Sequence, residues 1–361
     1  MEDIKLSYNL HHVNGLFFEL LDDGGHNHTY HIYIQDLDNN DILYQSEIKP
    51  NTWVRLNRKY LSNLLITVTL KGRLMLEINL LDYLVGKRIF ISFDSKSLGD
   101  TLAWIGVCEE FRKHYDCELL VSTFMNDLFE STYPDIQFLG RGVVAENLAA
   151  MFELGWFYDK EREPRHPATI PLQQAAKNIL YMSHNKEEIL PDLTITGVRP
   201  IQDKYVCIST VSTAQLKHWY YWQDLIDMLK AEGYKVVELS KEPTNFEGLE
   251  EVADKSLKSI KEYLYHCEFY IGLSSGISWL AWAMRTQVYM IANFSLPEHE
   301  FQHKCVRITN THVCHGCWNN PKFKFDKSNW NWCPEHEDTP KQFECHKMIT
   351  ASYVMKQIKK V

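Results

Sequence analysis

Four cysteines near the end of this 361-residue chain restrict its fold more than any other feature. Cys314-x2-Cys317 forms a knuckle that can present two sulfurs to one ion; Cys333 follows after fifteen intervening residues and Cys345 after eleven more. The stretch 310–347 that holds them has little regular periodicity, so no apolar stripe explains how it folds. Four thiolates at this spacing suit a closed tetrahedral site for Zn2+ or Fe. A site with no open position is architectural, and Trp318, Trp330 and Trp332 are expected to pack against it rather than stack on a sugar or base. In a reducing compartment the grouping points to a metal site and not a disulfide framework. Cys108, Cys117, Cys207 and Cys267 sit in or beside apolar stretches and are expected as buried free thiols; Cys305 stays ambiguous.

The length allows two or three domains, each with a sizeable core. A net charge of -9 disfavours nucleic acid, because binding phosphates needs clustered Lys and Arg. No apolar run reaches the roughly 18–20 residues that cross a bilayer. The first ten residues carry no basic-then-apolar signal pattern. A cytoplasmic chain with neither a nucleic-acid partner nor membrane insertion is therefore expected.

Residues 1–85 have the pattern of a small antiparallel β domain. Stretches 29–35 and 42–48 flank turn residues 36–41, and 64–70 and 73–80 flank a Lys71-Gly72 turn. The histidines there (His11, His12, His26, His28, His31) share no metal spacing and are expected as exposed strand-side or loop residues. From Gly86 the pattern changes to strand 87–93, loop 94–100, helix 101–114 and strand 118–121, a βαβ unit that opens a parallel sheet. Residues 86–200 thus form one Rossmann-like domain with its linker, in which 171–181 is helical. A second series fills 201–305: strand 205–210, helix 219–232 capped by Gly233, strand 235–239, helix 256–265, strand 269–272, helix 277–284 and strand 288–291. The cysteine segment occupies 306–348 and an amphipathic helix closes the chain at 349–361. The fold class is α/β, two facing Rossmann-like halves with ligand outside the carboxyl ends of the strands.

Three places carry chemistry. Ser274, Ser275 and Gly276 open a helix directly after a buried strand, which makes either a good N-cap or an anion site. The hydroxyl-rich run from Ser209 to Thr213 leads to Lys217, a point charge able to neutralise a diphosphate. Asp100 lies at a loop-to-helix junction, where a carboxylate would repel phosphate. It is either the helix N-cap or a general base, and the two are compatible.

These residues resemble the bacterial autotransporter heptosyltransferases, a family close to the ADP-heptose:lipopolysaccharide heptosyltransferases. The resemblance rests on Phe90-Ile-Ser-Phe-Asp-Ser-Lys-Ser-Leu-Gly-Asp100, Leu154-Gly-Trp-Phe157, Ser209-Thr-Val-Ser-Thr-Ala-Gln-Leu-Lys217 and Ile271-Gly-Leu-Ser-Ser-Gly-Ile-Ser-Trp-Leu-Ala-Trp282. Cys314-His-Gly-Cys317, Asp326-Lys-Ser-Asn-Trp-Asn-Trp-Cys333 and Gln342-Phe-Glu-Cys345 complete it.

The resemblance implies a GT-B fold with an N-terminal β domain and iron on Cys314, Cys317, Cys333 and Cys345, with zinc as the alternative. It implies inverting transfer of heptose from ADP-heptose to serines of an autotransporter adhesin, by an enzyme assembled as a ring of twelve. Asp100 would be the base. Lys217, Thr210 and Thr213 would hold diphosphate or sugar, and Ser274, Ser275, Gly276, Ile277 and Ser278 would contact phosphate. Leu98, Gly99, Thr101 and Glu242 would add substrate contacts. Two rival readings are a heptosyltransferase acting on a lipopolysaccharide or other glycan, and a metal-ribbon binding module on an inactive α/β body.

Overall fold

The computed structural model describes residues 6–22, 24–25, 27–58, 60–156, 166–212, 214–241, 244–323 and 333–360. The N-terminal strands are β1 (Leu6–His12), β2 (Leu16–Asp22), β3 (Tyr30–Asp36), β4 (Ile42–Ile48), β5 (Thr52–Leu56), β6 (Leu64–Leu70) and β7 (Arg73–Asn79), followed by the single turn α1 (Leu80–Tyr83). Both expected hairpins form. Lys71 and Gly72 take φ of 51° and 80° in the β6–β7 turn, as a two-residue turn matched to strand twist requires. β3, β4, β6 and β7 make their own antiparallel sheet in the order β4-β3-β6-β7.

β1, β2 and β5 behave differently. β1 pairs in parallel with β11 (Ala150–Leu154) of the first Rossmann-like half, so the seven-stranded sheet runs β10-β9-β8-β11-β1-β2-β5. Here β8 is Arg88–Phe93, β9 Glu118–Ser122 and β10 Ile136–Phe138. The boundary expected at residue 85 thus crosses a continuous sheet. The Asn14-Gly15 turn, with both residues at positive φ, is the local signal for the β1–β2 hairpin. His12 is also unlike the expectation of exposed histidines: it is fully buried, and burial pushes its pKa down to about 4, keeping it neutral.

Helix α2 (Leu98–Tyr115) follows β8, and α3 (Leu172–Ile179) packs against it. α2 is buried at every position from Gly99 to Cys108, not only at the apolar positions Leu102 and Ile105. A helix enclosed all round is a core element, and this one carries Asp100.

The second half is a six-stranded, wholly parallel sheet. Its elements are β12 (Tyr205–Ser209), α4 (Trp222–Ala231), β13 (Lys235–Glu238), β14 (Leu249–Glu250), α5 (Leu257–His266), β15 (Tyr270–Leu273), α6 (Gly276–Ala283), β16 (Val288–Ile291) and β17 (Cys305–Ile308). Cys305 opens an edge strand. Cys108, Cys117 and Cys207 are buried thiols as expected, while Cys267 is only partly buried. α7 (Glu344–Lys347) and α8 (Ala351–Ile358) close the chain, with α8 packed on α4 and β17.

The halves meet where α2 crosses α6. A Cβ on Gly99 would come within 2.8 Å of the Trp279 ring, and one on Gly276 within 3.0 Å of Leu98. Glycine at both points lets two helix N-termini approach face to face. That crossing defines the cleft.

Candidate active site

Asp100 occupies the first turn of α2. The capping role belongs to Ser97, whose hydroxyl accepts from the Asp100 N–H at 3.4 Å. Asp100 sits three residues into the helix, so its own amide is the group being capped. Ser95 Oγ donates to Asp100 Oδ2 at 2.5 Å, and Trp156 Nε1–H donates to the same oxygen at 2.8 Å. Burial pushes the carboxyl above its ordinary range. The hydroxyls, the indole and the charge of Lys217 oppose that only in part.

Across the cleft, Lys217 lies in a short 3-10 turn (Gln215–Lys217) after β12 and donates to the Ser274 carbonyl at 2.9 Å. Burial lowers its pKa, while the charges of Glu300 and Asp100 work the other way. Ser274 Oγ donates to Glu300, which is also ion-paired with Arg307. Burial works to raise the Glu300 carboxyl; Arg307 and Lys217 override it and hold it at about 2. Ser275 stands at the N-cap of α6 but makes no side-chain cap bond. Its hydroxyl and that of Thr210 are buried without a partner in hydrogen-bond geometry among the described residues. Two buried hydroxyls at strand ends, a helix N-terminus and a lysine have the composition of an anion cradle.

Not every expected residue faces this cleft with its side chain. Thr101 Oγ1 donates to the Ser97 carbonyl at 2.9 Å, and the fully buried Ser278 hydroxyl donates to the Leu273 carbonyl. Gly99, Gly276 and Leu98 build the α2–α6 crossing, with Ile277 partly buried behind it. Thr213 and Glu242 lie outside the described residues, as do His26, Trp330 and Trp332. Glu300 and Arg307 were not foreseen, because neither belongs to a recognisable spacing. Ser95 and Ser97 had a visible signal in the hydroxyl-rich loop before Asp100.

On the Asp100 side, a cavity of about 200 Å³ opens at the carboxyl ends of β8 and β9. It is lined by Phe93, Asp94, Ser122, Gly140, Arg141 and Glu153. Arg141 is fixed by donating to the Phe93 carbonyl at 2.8 Å and lies 4.0 Å over the Phe124 ring.

The cysteine segment folds against the second half. Gly316, at φ 71°, lets the knuckle turn back beneath Leu296. Cys314 hydrogen-bonds Cys345; Cys345 feels the charge of the other three cysteines, and Cys317 that of Cys314 and Cys333. Burial first, then those neighbours, pushes Cys317 and Cys345 up to about 12. Among the described residues no group of three or more His, Cys, Asp or Glu side chains is arranged to hold a metal ion. Trp318 packs as expected, 5.7 Å from the Phe294 ring.

Residues 127–332 match the family model of glycosyltransferase family 9 (heptosyltransferase). The chain is 33% identical to the autotransporter heptosyltransferase Aah of Escherichia coli over 90% of its length and 87% of that protein's. The crystal structure of the iron-containing dodecameric glycosyltransferase TibC from enterotoxigenic E. coli superposes with a TM-score of 0.82 at 30% identity, covering 99% of this chain and 95% of that one. A second TibC structure, in complex with ADP-D-beta-D-heptose, gives 0.80 at 30% identity, covering 98% and 95%.

Proposed function

The chain belongs to glycosyltransferase family 9, the heptosyltransferases, and from that premise we propose that it transfers heptose from ADP-heptose to serine hydroxyls of an autotransporter adhesin. The observation that carries the reading is the meeting of Asp100 with Lys217, Ser274 and Ser275 where α2 crosses α6. A carboxyl with a raised pKa faces a cationic, hydroxyl-rich helix terminus. One side suits proton acceptance and the other suits a diphosphate.

In the proposed step Asp100 takes the serine proton as the serine oxygen attacks the anomeric carbon. The bond from that carbon to the diphosphate oxygen breaks, and ADP departs with the bonding pair. Lys217 and the α6 amides at Gly276 and Ile277 offset the charge that develops on the leaving oxygen. One displacement inverts the anomeric centre. Thr210, Thr213 and Glu242 complete the donor side in this proposal. The acceptor chain lies on the half that holds Asp100 and Arg141.

Cys314, Cys317, Cys333 and Cys345 would hold iron. Four sulfur donors within one short segment, three of them buried, suit a soft-ligand site, and iron in the similar TibC favours it over zinc. Bound there, the metal would cross-link the 306–348 segment. We further propose a cytoplasmic homo-oligomer, in keeping with the dodecameric TibC. Among the described residues no helix is long and apolar enough to cross a membrane.

Mass spectrometry of an adhesin passenger co-expressed with the chain tests the function directly. A heptose mass increment on serine-containing peptides is expected, and it should disappear with Asp100→Asn. Heptose found only on a lipid A precursor would replace the protein-acceptor reading.

A further inference from the structure

Two tryptophans outside the set of residues implicated above connect the cysteine segment to Asp100. Trp156 follows β11, and its indole N–H reaches Asp100 Oδ2 at 2.8 Å. The Trp318 ring stands edge-on to Trp156, with centroids 5.6 Å apart and planes at 86°. Trp318 is itself anchored: its N–H donates to His299 Nε2 at 2.9 Å. An indole nitrogen only donates, so His299 Nε2 must accept and the ring proton must sit on Nδ1. Nδ1 lies 2.9 Å from the Ile170 carbonyl, which completes that assignment. Burial lowers the His299 pKa and keeps this tautomer neutral.

The turn carrying Trp318 (Cys317–Asn319) is fastened on both sides. The Trp318 amide donates to the Phe294 carbonyl at 3.0 Å, and Asn319 Oδ1 accepts from the Leu296 amide at 2.7 Å. Asn319 Nδ2 donates to the Ala168 carbonyl at 2.6 Å. The strut therefore starts from a fixed point.

We propose that Trp156 and Trp318 are positioning residues for transfer: Trp156 orients the Asp100 carboxylate through its N–H, and Trp318, locked by His299, holds the Trp156 ring in place. The proposal rests on the reading of Asp100 as base. Ser95 and Trp156 both donate to the same oxygen, which sets the plane of the carboxyl group. A donor to a carboxylate favours its ionised form, so each bond also makes the base available at lower pH. The other groups facing Asp100 are Ser97 on its own loop and Lys217 from the opposite half, whose charge is shared with Glu300 and Arg307. The cysteine segment would then do more than stabilise the fold, because its first turn braces the reacting carboxylate.

The test is the pH profile of heptose transfer for Trp156→Phe and Trp318→Phe, beside Asp100→Asn. Phenylalanine keeps a ring and removes the N–H. In Trp156→Phe the acid limb of kcat should move up by about one pH unit, a tenfold loss below the limb, with the KM for ADP-heptose unchanged. Trp318→Phe should move it the same way by a smaller amount. A merely structural role would lower Tm and leave the limb where it was, and that result in a folded Trp156→Phe protein overturns the proposal.

A second readout needs no turnover. The difference in emission between wild type and Trp156→Phe isolates Trp156 fluorescence, which should titrate with a carboxyl. The same difference taken in an Asp100→Asn background should lose that titration; if the titration persists, Trp156 is not reporting Asp100 and the coupling fails. An active Asp100→Asn enzyme would remove the base reading and the kinetic half of this inference together. An inactive Asp100→Asn beside an unshifted Trp156→Phe would remove the inference alone.

Discussion

Two carboxyls face Lys217 from opposite sides of the cleft, and they are tuned in opposite directions. Asp100 is buried among neutral donors, Ser95, Ser97 and Trp156, and its pKa is raised. Glu300 is equally enclosed but is ion-paired with Arg307, and its pKa is held at about 2. Both lose water on folding. The difference lies in whether a full positive charge replaces that water. A carboxyl solvated by hydroxyls and an indole can still take a proton at useful pH. One locked to a guanidinium cannot, and serves as a fixed counter-charge for the cations around the cradle.

The sharpest way to break this contrast is to remove each carboxylate in turn. Asp100→Asn keeps shape and hydrogen bonding but cannot accept the proton; kcat should fall by about 10²–10⁴-fold while ADP-heptose affinity, measured by calorimetry, is retained. Full activity would show that the raised carboxyl has no part in transfer.

Glu300→Gln should act on stability first. It leaves Arg307 buried without its counter-charge, at a cost of about 3–5 kcal/mol that thermal or urea unfolding would read. The pH dependence carries the sign. A pKa depressed from 4.5 to about 2 stabilises the fold above pH 4.5 and loses that contribution as pH falls toward 2. The variant should therefore lose much of the acid sensitivity of wild type across that window. Asp100 contributes oppositely: its raised pKa favours folding below the unfolded value of 3.8 and loses that contribution as pH rises through the folded value.

Lys217→Ala is the smallest of the three effects and bears on both carboxyls. Donor affinity should weaken by about tenfold to a hundredfold, the value of hydrogen bonds to a charged group. The acid limb of kcat should also rise, since a cation that favours the ionised Asp100 is gone. Unchanged affinity would mean that the lysine serves only the Ser274 carbonyl.

Much of this architecture was legible in the chain. Strand-like runs between turn signals located β3, β4, β6 and β7, and strand–loop–helix alternation located β8 and β9 of the mixed sheet and β12, β13, β15 and β16 of the parallel one, because local composition and periodicity report how a segment is buried. Ser274, Ser275 and Gly276 could be found because a small-residue loop between strand and helix has few other uses. β1 and β2 were missed despite Asn14-Gly15, and no local pattern could have said that β1 pairs with β11, well over a hundred residues away.

By itself, the sequence determined the elements, the cysteine spacing and the residue types able to carry acid–base and phosphate chemistry. The tertiary structure decided their use. It made Ser97 the cap and freed Asp100, spent Thr101 and Ser278 on internal carbonyls, and set Arg307 against Glu300. Burial, charge and hydrogen-bond partners come from segments far apart in the chain, and those set what a carboxyl can do.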